Sequence, residues 1–208
     1  MSQDQIFVLA SGSPRRVELL EQAGASPDRL LPTNVDETPL KSEHPRSLAR
    51  RLSRVKAETG WEHLRDSDAH HNAFVLAADT VVSVGRLCLP KPDLLDEASQ
   101  CLRLLSGRNH KVHTGLCLIT PKGKIRQRVV ESRVRFKRLT SEEMKAYLAT
   151  GEWRDKAGGY AIQGLAGTFV VRLVGSYSNV VGLPIYETVS LLGGEGYNVH
   201  ARWPRVTA

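Results

Sequence analysis

The stretch FVLAADTVVSV, residues 74–84, constrains the fold of this chain more than any other segment. It is a nearly continuous apolar run of strand composition, which is typical of a strand buried on both faces of a sheet. Asp79 interrupts the run, and Thr80 faces the opposite side of a regular strand. An unpaired buried carboxylate is costly, so Asp79 requires a cation, a metal ion or several strong hydrogen bonds. Lys91 and a divalent cation are its candidate partners, and a structural aspartate at a strand end is the alternative.

Apolar periodicity and turn residues divide the rest of the chain into strands and helices. The expected strands cover residues 5–10, 29–35, 74–84, 110–120 and 125–137. The expected helices cover residues 14–24, 45–59, 93–105, 141–149 and 184–192. A glycine-rich stretch with short strands lies between Gly151 and Gly182. Because strands and helices mix and the long central pair has an antiparallel pattern, the predicted fold class is α/β with a mixed sheet.

The chain has 208 residues, of which 41% are hydrophobic, so it can bury a sizeable core as one domain or as two small lobes with a cleft between them. No stretch approaches the roughly 18–20 apolar residues needed to cross a bilayer, and the N-terminus lacks the layout of a signal peptide. We therefore expect a soluble, cytoplasmic protein without a membrane partner. Cys88, Cys101 and Cys117 lie in apolar surroundings, which favours small buried residues over disulfides.

The net charge of the chain indicates which kinds of binding partner to expect. A formal charge of +7 favours an anion: nucleic acid, a membrane surface or a phosphorylated small molecule. The cations are dispersed along the chain without a long basic block, and only 6% of the residues are aromatic. These two features argue against a surface for nucleic acid, so no nucleic-acid partner is predicted.

The stretch LASGSPRR, residues 9–16, follows a predicted strand and opens a predicted helix. Ser13 is the expected N-cap, and Pro14 is the first helical residue. Arg15 and Arg16 lie in the first turn, where cations oppose the helix dipole at a cost of about 0.3–1 kcal/mol each. A bound phosphate would reverse that cost, because backbone N–H groups and guanidinium groups would converge on it. Two solvated surface arginines are the alternative.

Two further segments carry candidate chemistry. Asp36 and Glu37, in NVDETP, add carboxylates to a chain rich in cations, which is the composition of a Mg²⁺–phosphate site; a solvated loop acid is the alternative for Glu37. The stretch DKAGGYAIQGLAG, residues 155–167, has glycines that permit close backbone approach to a ligand. The amide of Gln163 offers a donor and an acceptor, which matches the edge of uracil or thymine and also that of adenine.

Motifs in a fixed order resemble the Maf (septum-formation) family of nucleoside triphosphate pyrophosphatases over about residues 6–192. They are LASGSPRR, VDETP, AADTVV, KP, LLSGRNHKVHTG, DKAGGYAIQG and VVGLPIYET. The resemblance implies one Maf-like domain over residues 1–208 with its core at 6–192, and a mixed sheet in two lobes around a central cleft, related to inosine-triphosphate pyrophosphatases. It also implies a homodimer and a divalent cation, Mg²⁺ or Mn²⁺, for hydrolysis of a nucleoside triphosphate to the monophosphate and pyrophosphate.

The resemblance also implies roles for individual residues. Asp79 matches the proton acceptor of the family, and Glu37 matches a nearby acidic residue needed for the metal and for catalysis. The residues that match contacts to the phosphates are Ser11, Ser13, Arg16, Lys56 and Lys91. As a hypothesis, Glu37 and Asp79 hold the metal and an attacking water.

Substrate preference is expected from three positions. Arg15, Thr80 and Gln163 match the branch of the family that prefers dTTP and UTP, whereas a second branch prefers 7-methyl-GTP and has other residues there. The predicted substrates are therefore dTTP, UTP and modified pyrimidine nucleotides. The alternatives are a pyrophosphatase for purine nucleotides or 7-methyl-GTP, and a nucleotide-binding regulator of cell division whose hydrolysis is vestigial.

Overall fold

The structure, a computed structural model, describes residues 5–65 and 72–203. The described strands are β1 (Ile6–Leu9), β2 (Arg29–Leu30), β3 (Ala73–Val84), β4 (Leu87–Leu89), β5 (Asn109–Ile119), β6 (Ile125–Phe136) and β7 (Val170–Val174). The described helices are α1 (Pro14–Gln22), α2 (Pro45–Leu64), α3 (Leu95–Leu105), α4 (Ser141–Ala149), α5 (Tyr177–Val181) and α6 (Ile185–Gly194). Short 3₁₀ helices cover Ala157–Gly159, Leu165–Phe169 and Val199–Arg202.

The described strands form one mixed sheet in the order β2-β1-β3-β5-β6-β7, and β4 pairs with β3. Strand β1 runs parallel to β2 and β3, whereas the remaining pairs are antiparallel. The predicted α/β class with a mixed sheet is therefore confirmed. The first residues of β3 pair with β1 and its last residues pair with β4, while β5 follows β3 over most of its length.

Strand β3 also connects the two parts of the core. Near its start, Leu76 belongs to an apolar cluster with α1 and α6, and Val75 belongs to a cluster with α2 on the other face of the sheet. Near its end, Val82 packs in a third cluster with α3, α4 and the buried Trp153. The core thus lies in two lobes joined by the sheet, and Asp79 lies between them.

Helix α2 approaches the sheet closely beside Asp79, because β5 has a glycine at the paired position. Gly115 pairs with Asp79, and a Cβ added at Gly115 would lie 2.1 Å from the carbonyl oxygen of Ala49 in α2. Ala49, Ser53 and Lys56 follow each other at helical spacing and are all buried, so they share the inner face of α2. The missing side chain at position 115 therefore lets α2 bring Lys56 to Asp79.

Several predicted boundaries were wrong. Strand β2 has only the residues Arg29–Leu30, not 29–35, and the chain from Leu31 to α2 is irregular. Helix α2 does not end at residue 59, because Gly60 is a site of close packing and not a helix stop: a Cβ there would lie 2.8 Å from the Cβ of Ala10. The predicted helix over 93–105 begins at Leu95.

Short elements near glycines were missed. Strand β4, of three residues, forms a hairpin with the end of β3, and α5, of five residues, lies inside the predicted loop over 151–182. Pro184 is the N-cap of α6 and not its first helical residue. Such elements are too short for apolar periodicity to reveal, because less than two helical turns or a few alternations carry no period.

The three cysteines, which were expected to be small buried residues, all lie among the described residues. Cys101 and Cys117 are buried and Cys88 is partly buried. Within residues 5–65 and 72–203, no helix has both the length and the apolar character that crossing a bilayer requires.

Candidate active site

A cleft of about 420 Å³ opens where α1 begins, beside the middle of β3 and between residues 155–163 and 180–182. The predicted site residues that line it are Ser13, Arg15, Arg16, Asp79, Thr80, Lys91 and Gln163. The other predicted residues, Ser11, Glu37 and Lys56, contact members of this set directly. The fold therefore gathers all the predicted site residues at one place.

Lys56 lies between two carboxylates at the floor of the cleft. Its Nζ is 2.5 Å from Oδ1 of Asp79 and 2.5 Å from Oε1 of Glu37. Lys91 Nζ donates to the second oxygen of Glu37 at 2.7 Å. The prediction that Lys91 is the protein partner of Asp79 was wrong: the partner is Lys56. The sequence could not show this, because only the close approach of α2 to the sheet brings positions 56 and 79 together.

The two lysines set the charge of Glu37, which lies in the irregular segment between β2 and α2. Burial works to raise the pKa of Glu37, but the hydrogen bonds and positive charges of Lys56 and Lys91 outweigh it and lower the pKa to about 2. Glu37 is thus a carboxylate at neutral pH. Together with Asp79 it presents oxygen donors on both sides of one ammonium group.

Arg16 lies on the other side of β3 and contacts only neutral acceptors among the described residues. Its Nε donates to the carbonyl of Gly182 at 2.9 Å, its Nη1 to Oγ of Ser11 at 3.0 Å, and its Nη2 to Oγ1 of Thr80 at 3.4 Å. Burial lowers the pKa of Arg16, whereas the negative charge of Asp79 raises it. The guanidinium is therefore held in place without being neutralised by a direct ion pair.

The N-terminus of α1 takes the predicted form. Ser13 is the N-cap and Pro14 follows it, although the Ser13 hydroxyl makes no capping hydrogen bond. The N–H of Ser13 donates to Oγ of Ser11 at 3.3 Å, so the two serines and Arg16 form one connected corner of the cleft. Asp79 and Thr80 point to opposite faces of β3, as the strand period predicts, since one contacts Lys56 and the other Arg16.

The opposite end of the cleft is formed by the glycine-rich segment. Arg15 Nη2 donates to the carbonyl of Asp155 at 3.3 Å, which connects α1 to that segment. Gln163 is exposed to the cleft, and Tyr160 forms part of its wall. The hydroxyl of Tyr160 lies 2.8 Å from Nε2 of the buried His110. Besides charged side chains, this end has apolar residues between positions 157 and 162, which suit the base of a nucleotide.

Comparison with known proteins agrees with this arrangement. A family model described as "Maf-like protein" matches residues 6–195. The chain belongs to the Maf family. A protein of Mesorhizobium japonicum named dTTP/UTP pyrophosphatase is 66% identical over 98% of both chains. A protein of the same name from Chelativorans is 64% identical over 100% of this chain and 99% of its own.

A solved structure of a nucleoside-triphosphatase / dITP/XTP pyrophosphatase from Mycobacterium abscessus is a more distant match. It aligns at a TM-score of 0.41 and 17% identity, over 66% of this chain and 77% of the other. At that distance it does not inform the Maf site. The family prediction is confirmed by the family model and by the two relatives at 64–66% identity.

Four residues that line the Maf cleft or lie buried behind it were not singled out by sequence reasoning. They are Thr114, Lys156, Asn179 and Gly182. Each lies inside a quoted motif or directly before one, but none is a typical catalytic residue type in its local pattern. The available signal for Thr114 was its place next to Gly115 in a quoted motif, and for Gly182 it was a glycine at a helix end.

The donor set of the Maf cleft fits a divalent cation of the kind that also binds phosphates. Within the described part of the chain, no three acidic, histidine or cysteine side chains converge as a ready-made metal site. Mg²⁺ is commonly held by one or two carboxylates together with waters and substrate phosphates. Glu37 and Asp79, which share one ammonium group, are two such carboxylates.

Proposed function

We propose that this chain hydrolyses dTTP and UTP to the nucleoside monophosphate and pyrophosphate. One observation carries the proposal: a single cleft places Arg16, whose described partners are all neutral, next to the carboxylates Asp79 and Glu37. The arginine suits binding of phosphates, and the carboxylates suit a metal ion and proton transfer. The name shared by three relatives at 64–66% identity supports the same reaction and substrates.

The phosphates are proposed to bind at the corner formed by α1 and the end of Lys91. Arg16 and the serines Ser11 and Ser13 supply hydrogen-bond donors there, and Lys91, which pairs with Glu37, adds a positive charge from the opposite wall. Lys56 has a different role, since it is buried between two carboxylates and holds them apart at a fixed distance. Its contribution to phosphate binding is through the position of Asp79 and Glu37.

In the proposed reaction, a water oxygen attacks the α-phosphorus while Asp79 takes one proton of that water. The bond from the α-phosphorus to the bridging oxygen breaks, and the pyrophosphate leaves with the electron pair. Oδ1 of Asp79 already accepts from Lys56, so Oδ2 is the oxygen assigned to the proton. A general base of this kind contributes roughly 10²–10⁴ in rate. Arg16 and Lys91 stabilise the charge that develops on the leaving oxygens.

Glu37 and Asp79 would hold the divalent cation, Mg²⁺ or Mn²⁺. When bound, such an ion supplies positive charge next to the phosphates and lowers the pKa of a coordinated water. The low pKa of Glu37, about 2, keeps this carboxylate ready to bind a cation at neutral pH.

Recognition of the base is proposed for Arg15, Thr80 and Gln163. Gln163 is exposed at the end of the cleft formed by residues 155–163, where its amide offers a donor and an acceptor to the base edge. Arg15 connects the two walls through Asp155 and so sets the width of the cleft at this end. Thr80 lies next to Arg16 at the transition from phosphates to base.

The experiment that tests the proposal is pyrophosphate release with Mg²⁺ or Mn²⁺ from dTTP, UTP, CTP, dATP, GTP, ITP and 7-methyl-GTP. We expect release from dTTP and UTP, and a loss of about 10²-fold or more in Asp79→Asn, because the variant cannot accept the proton. Asp96→Asn, at an exposed position at the start of α3, is the matched control and keeps wild-type turnover.

Other outcomes select the alternatives. Preferred release from a purine nucleotide or from 7-methyl-GTP would overturn the pyrimidine assignment and keep the reaction. Tight nucleotide binding with no release from any nucleotide would favour the regulator with vestigial hydrolysis. Near-normal turnover in Asp79→Asn would show that another group takes the proton.

A further inference from the structure

A chain of buried hydrogen bonds runs from Arg16 into the interior of the protein. It links Thr80 on β3, Thr114 on β5, Asn179 on α5 and Ser132 on β6. Thr114 and Asn179 are fully buried, and Ser132 is 1% exposed, so none of these three can touch a substrate. Such groups are costly to bury and are expected to have a reason for being there.

We infer that Thr114 and Asn179 are positioning residues that fix the guanidinium of Arg16 for the phosphates of the nucleotide. This inference rests on the proposed function, because Arg16 is assigned to phosphate there. It concerns residues that act through Arg16 and that neither the resemblance nor the family comparison singles out.

The direction of each hydrogen bond follows from the donors available. Thr114 Oγ1 lies 3.0 Å from the carbonyl oxygen of Asn179, and a carbonyl only accepts, so Thr114 donates its one hydrogen there. Thr80 has two acceptors within reach, Thr114 Oγ1 at 2.9 Å and the Gly182 carbonyl at 3.4 Å, and the shorter contact assigns its hydrogen to Thr114. The hydrogen of Thr80 therefore points away from Arg16, and the Thr80 oxygen is left to accept from Nη2 of Arg16.

Asn179 fixes the second acceptor of Arg16. Its Nδ2 donates to Oγ of Ser132 at 2.9 Å and to the carbonyl of Val112 at 3.3 Å, which anchors α5 on β5 and β6. Helix α5 ends at Gly182, whose φ of +136° is readily adopted only by glycine. This conformation turns the Gly182 carbonyl toward Nε of Arg16, 2.9 Å away. Two of the three acceptors of Arg16 thus depend on the buried chain.

The result is a guanidinium with a defined free edge. Of its five N–H groups, Arg16 uses one on Nε, one on Nη1 and one on Nη2 for Gly182, Ser11 and Thr80. One N–H remains on each terminal nitrogen, and two parallel N–H groups form the fork that binds two phosphate oxygens. Without Thr114 or Asn179 the side chain would have to be ordered by the ligand itself, which lowers affinity.

The test is the variant Thr114→Val, which removes the hydroxyl and keeps the size of the side chain. We expect binding of pyrophosphate, measured by calorimetry, to weaken by about tenfold, since small misplacements of a binding group have effects of this size or larger. Thr114→Ser, which retains the hydroxyl, is expected to restore the affinity. Thr188→Val is the matched control, because Thr188 is also fully buried but donates only to Pro184 within α6.

A double-mutant cycle separates positioning from general destabilisation. In the Arg16→Met background, Thr114→Val is expected to cause no further loss of pyrophosphate affinity, because its effect passes through Arg16. Asn179→Ala removes the amide donor without adding a charge and is expected to show the same dependence on Arg16. It also serves as the second variant if Thr114→Val does not fold.

Failure of this inference and failure of the proposed function give different results. Wild-type pyrophosphate affinity in Thr114→Val, or an equal loss with and without Arg16, would overturn the positioning role while nucleotide hydrolysis stands. Arg16-dependent loss of pyrophosphate binding in a protein that hydrolyses no nucleotide would keep the positioning role and overturn the proposed function.

Discussion

Arg16 and Lys56 are two cations on opposite sides of β3, and they are held in opposite ways. Lys56 lies 2.5 Å from each of two carboxylates and is 8% exposed. Arg16 contacts a hydroxyl on Ser11, a hydroxyl on Thr80 and a backbone carbonyl, all of them neutral. Both are ordered, but only Arg16 keeps a charge that no direct ion pair offsets.

This difference teaches how one site can hold cations and anions together. A cation with two carboxylates serves to fix those carboxylates, and its removal leaves buried negative charge. A cation with neutral partners attracts an anionic ligand. Its removal leaves neutral hydrogen-bond acceptors and no unpaired buried charge, so the protein loses less stability. The variants below test whether stability depends mainly on Lys56 and binding mainly on Arg16.

The largest effect is expected from Lys56→Met. The variant leaves Asp79, which is 3% exposed, without its cation, and breaking a buried pair in this way costs about 3–5 kcal/mol. The free energy of unfolding in urea measures the loss. Lys91→Met is the control, since its pair with Glu37 is exposed to solvent and contributes about 0–1 kcal/mol. Equal losses in the two variants would contradict the comparison.

The next largest effect is expected on the affinity for pyrophosphate. Arg16→Met should weaken the affinity for pyrophosphate about 10- to 100-fold, because charge-assisted hydrogen bonds contribute about 1.5–3 kcal/mol. The free energy of unfolding should fall less than in Lys56→Met, since the acceptors left behind are neutral. Calorimetric titration and urea unfolding on the same preparation give both numbers. A stability loss larger than that of Lys56→Met would reverse the assigned roles.

A smaller effect is expected from Gly115→Ala, which acts on Lys56 from a distance. The new Cβ would lie 2.1 Å from the Ala49 carbonyl oxygen, so α2 must shift away from the sheet. Overpacking of this kind costs about 1–3 kcal/mol. Gly123→Ala is a control with open space around the added atom, although its φ of +72° adds backbone strain. Unchanged stability in Gly115→Ala would show that the close packing of α2 against β5 does not depend on the glycine.

The smallest effect is expected from the pH dependence of the free energy of unfolding, through Glu37. The pKa of Glu37 in the folded protein, about 2, lies below its ordinary value of 4.5. A lowered folded-state pKa contributes stability that is fully present above the ordinary value and is lost as the pH falls toward the folded value. The difference in unfolding free energy between wild type and Glu37→Gln should therefore shrink between about pH 4.5 and pH 2. A difference independent of pH would show that the lysines do not stabilise the Glu37 charge.

Much of the fold could be predicted because its elements carry strong local signals. The long strands β3, β5 and β6 and the helices α1 and α4 lie close to the residues where apolar periodicity and turn residues predicted them. The errors concern positions where packing overrides a local signal. The helix predicted over 45–59 continues to Leu64, and Gly60 lies inside it in close contact with Ala10.

The sequence predicted which residues form the site, but not which of them contact each other. Ten residues were expected together, and the described structure brings them together at one cleft. The prediction of Lys91 as the partner of Asp79 was wrong. The actual pairing of Lys56 with Asp79 depends on how closely α2 approaches the sheet. The roles of these residues, the metal ion, the homodimer and the cytoplasmic location stay predictions.

The order of events in folding follows from where the cleft residues lie along the chain. Ser11 and Gly182 meet at Arg16, and β1 pairs with β3 through Ile6 and Ala73, so the cleft joins segments that are far apart in sequence. Contacts of such separation form slowly compared with helices. Helical structure should therefore return early during refolding, whereas pyrophosphate binding should return only when the last long-range strand pairs have formed. The rate at which pyrophosphate binding recovers therefore reports how fast the whole sheet is completed.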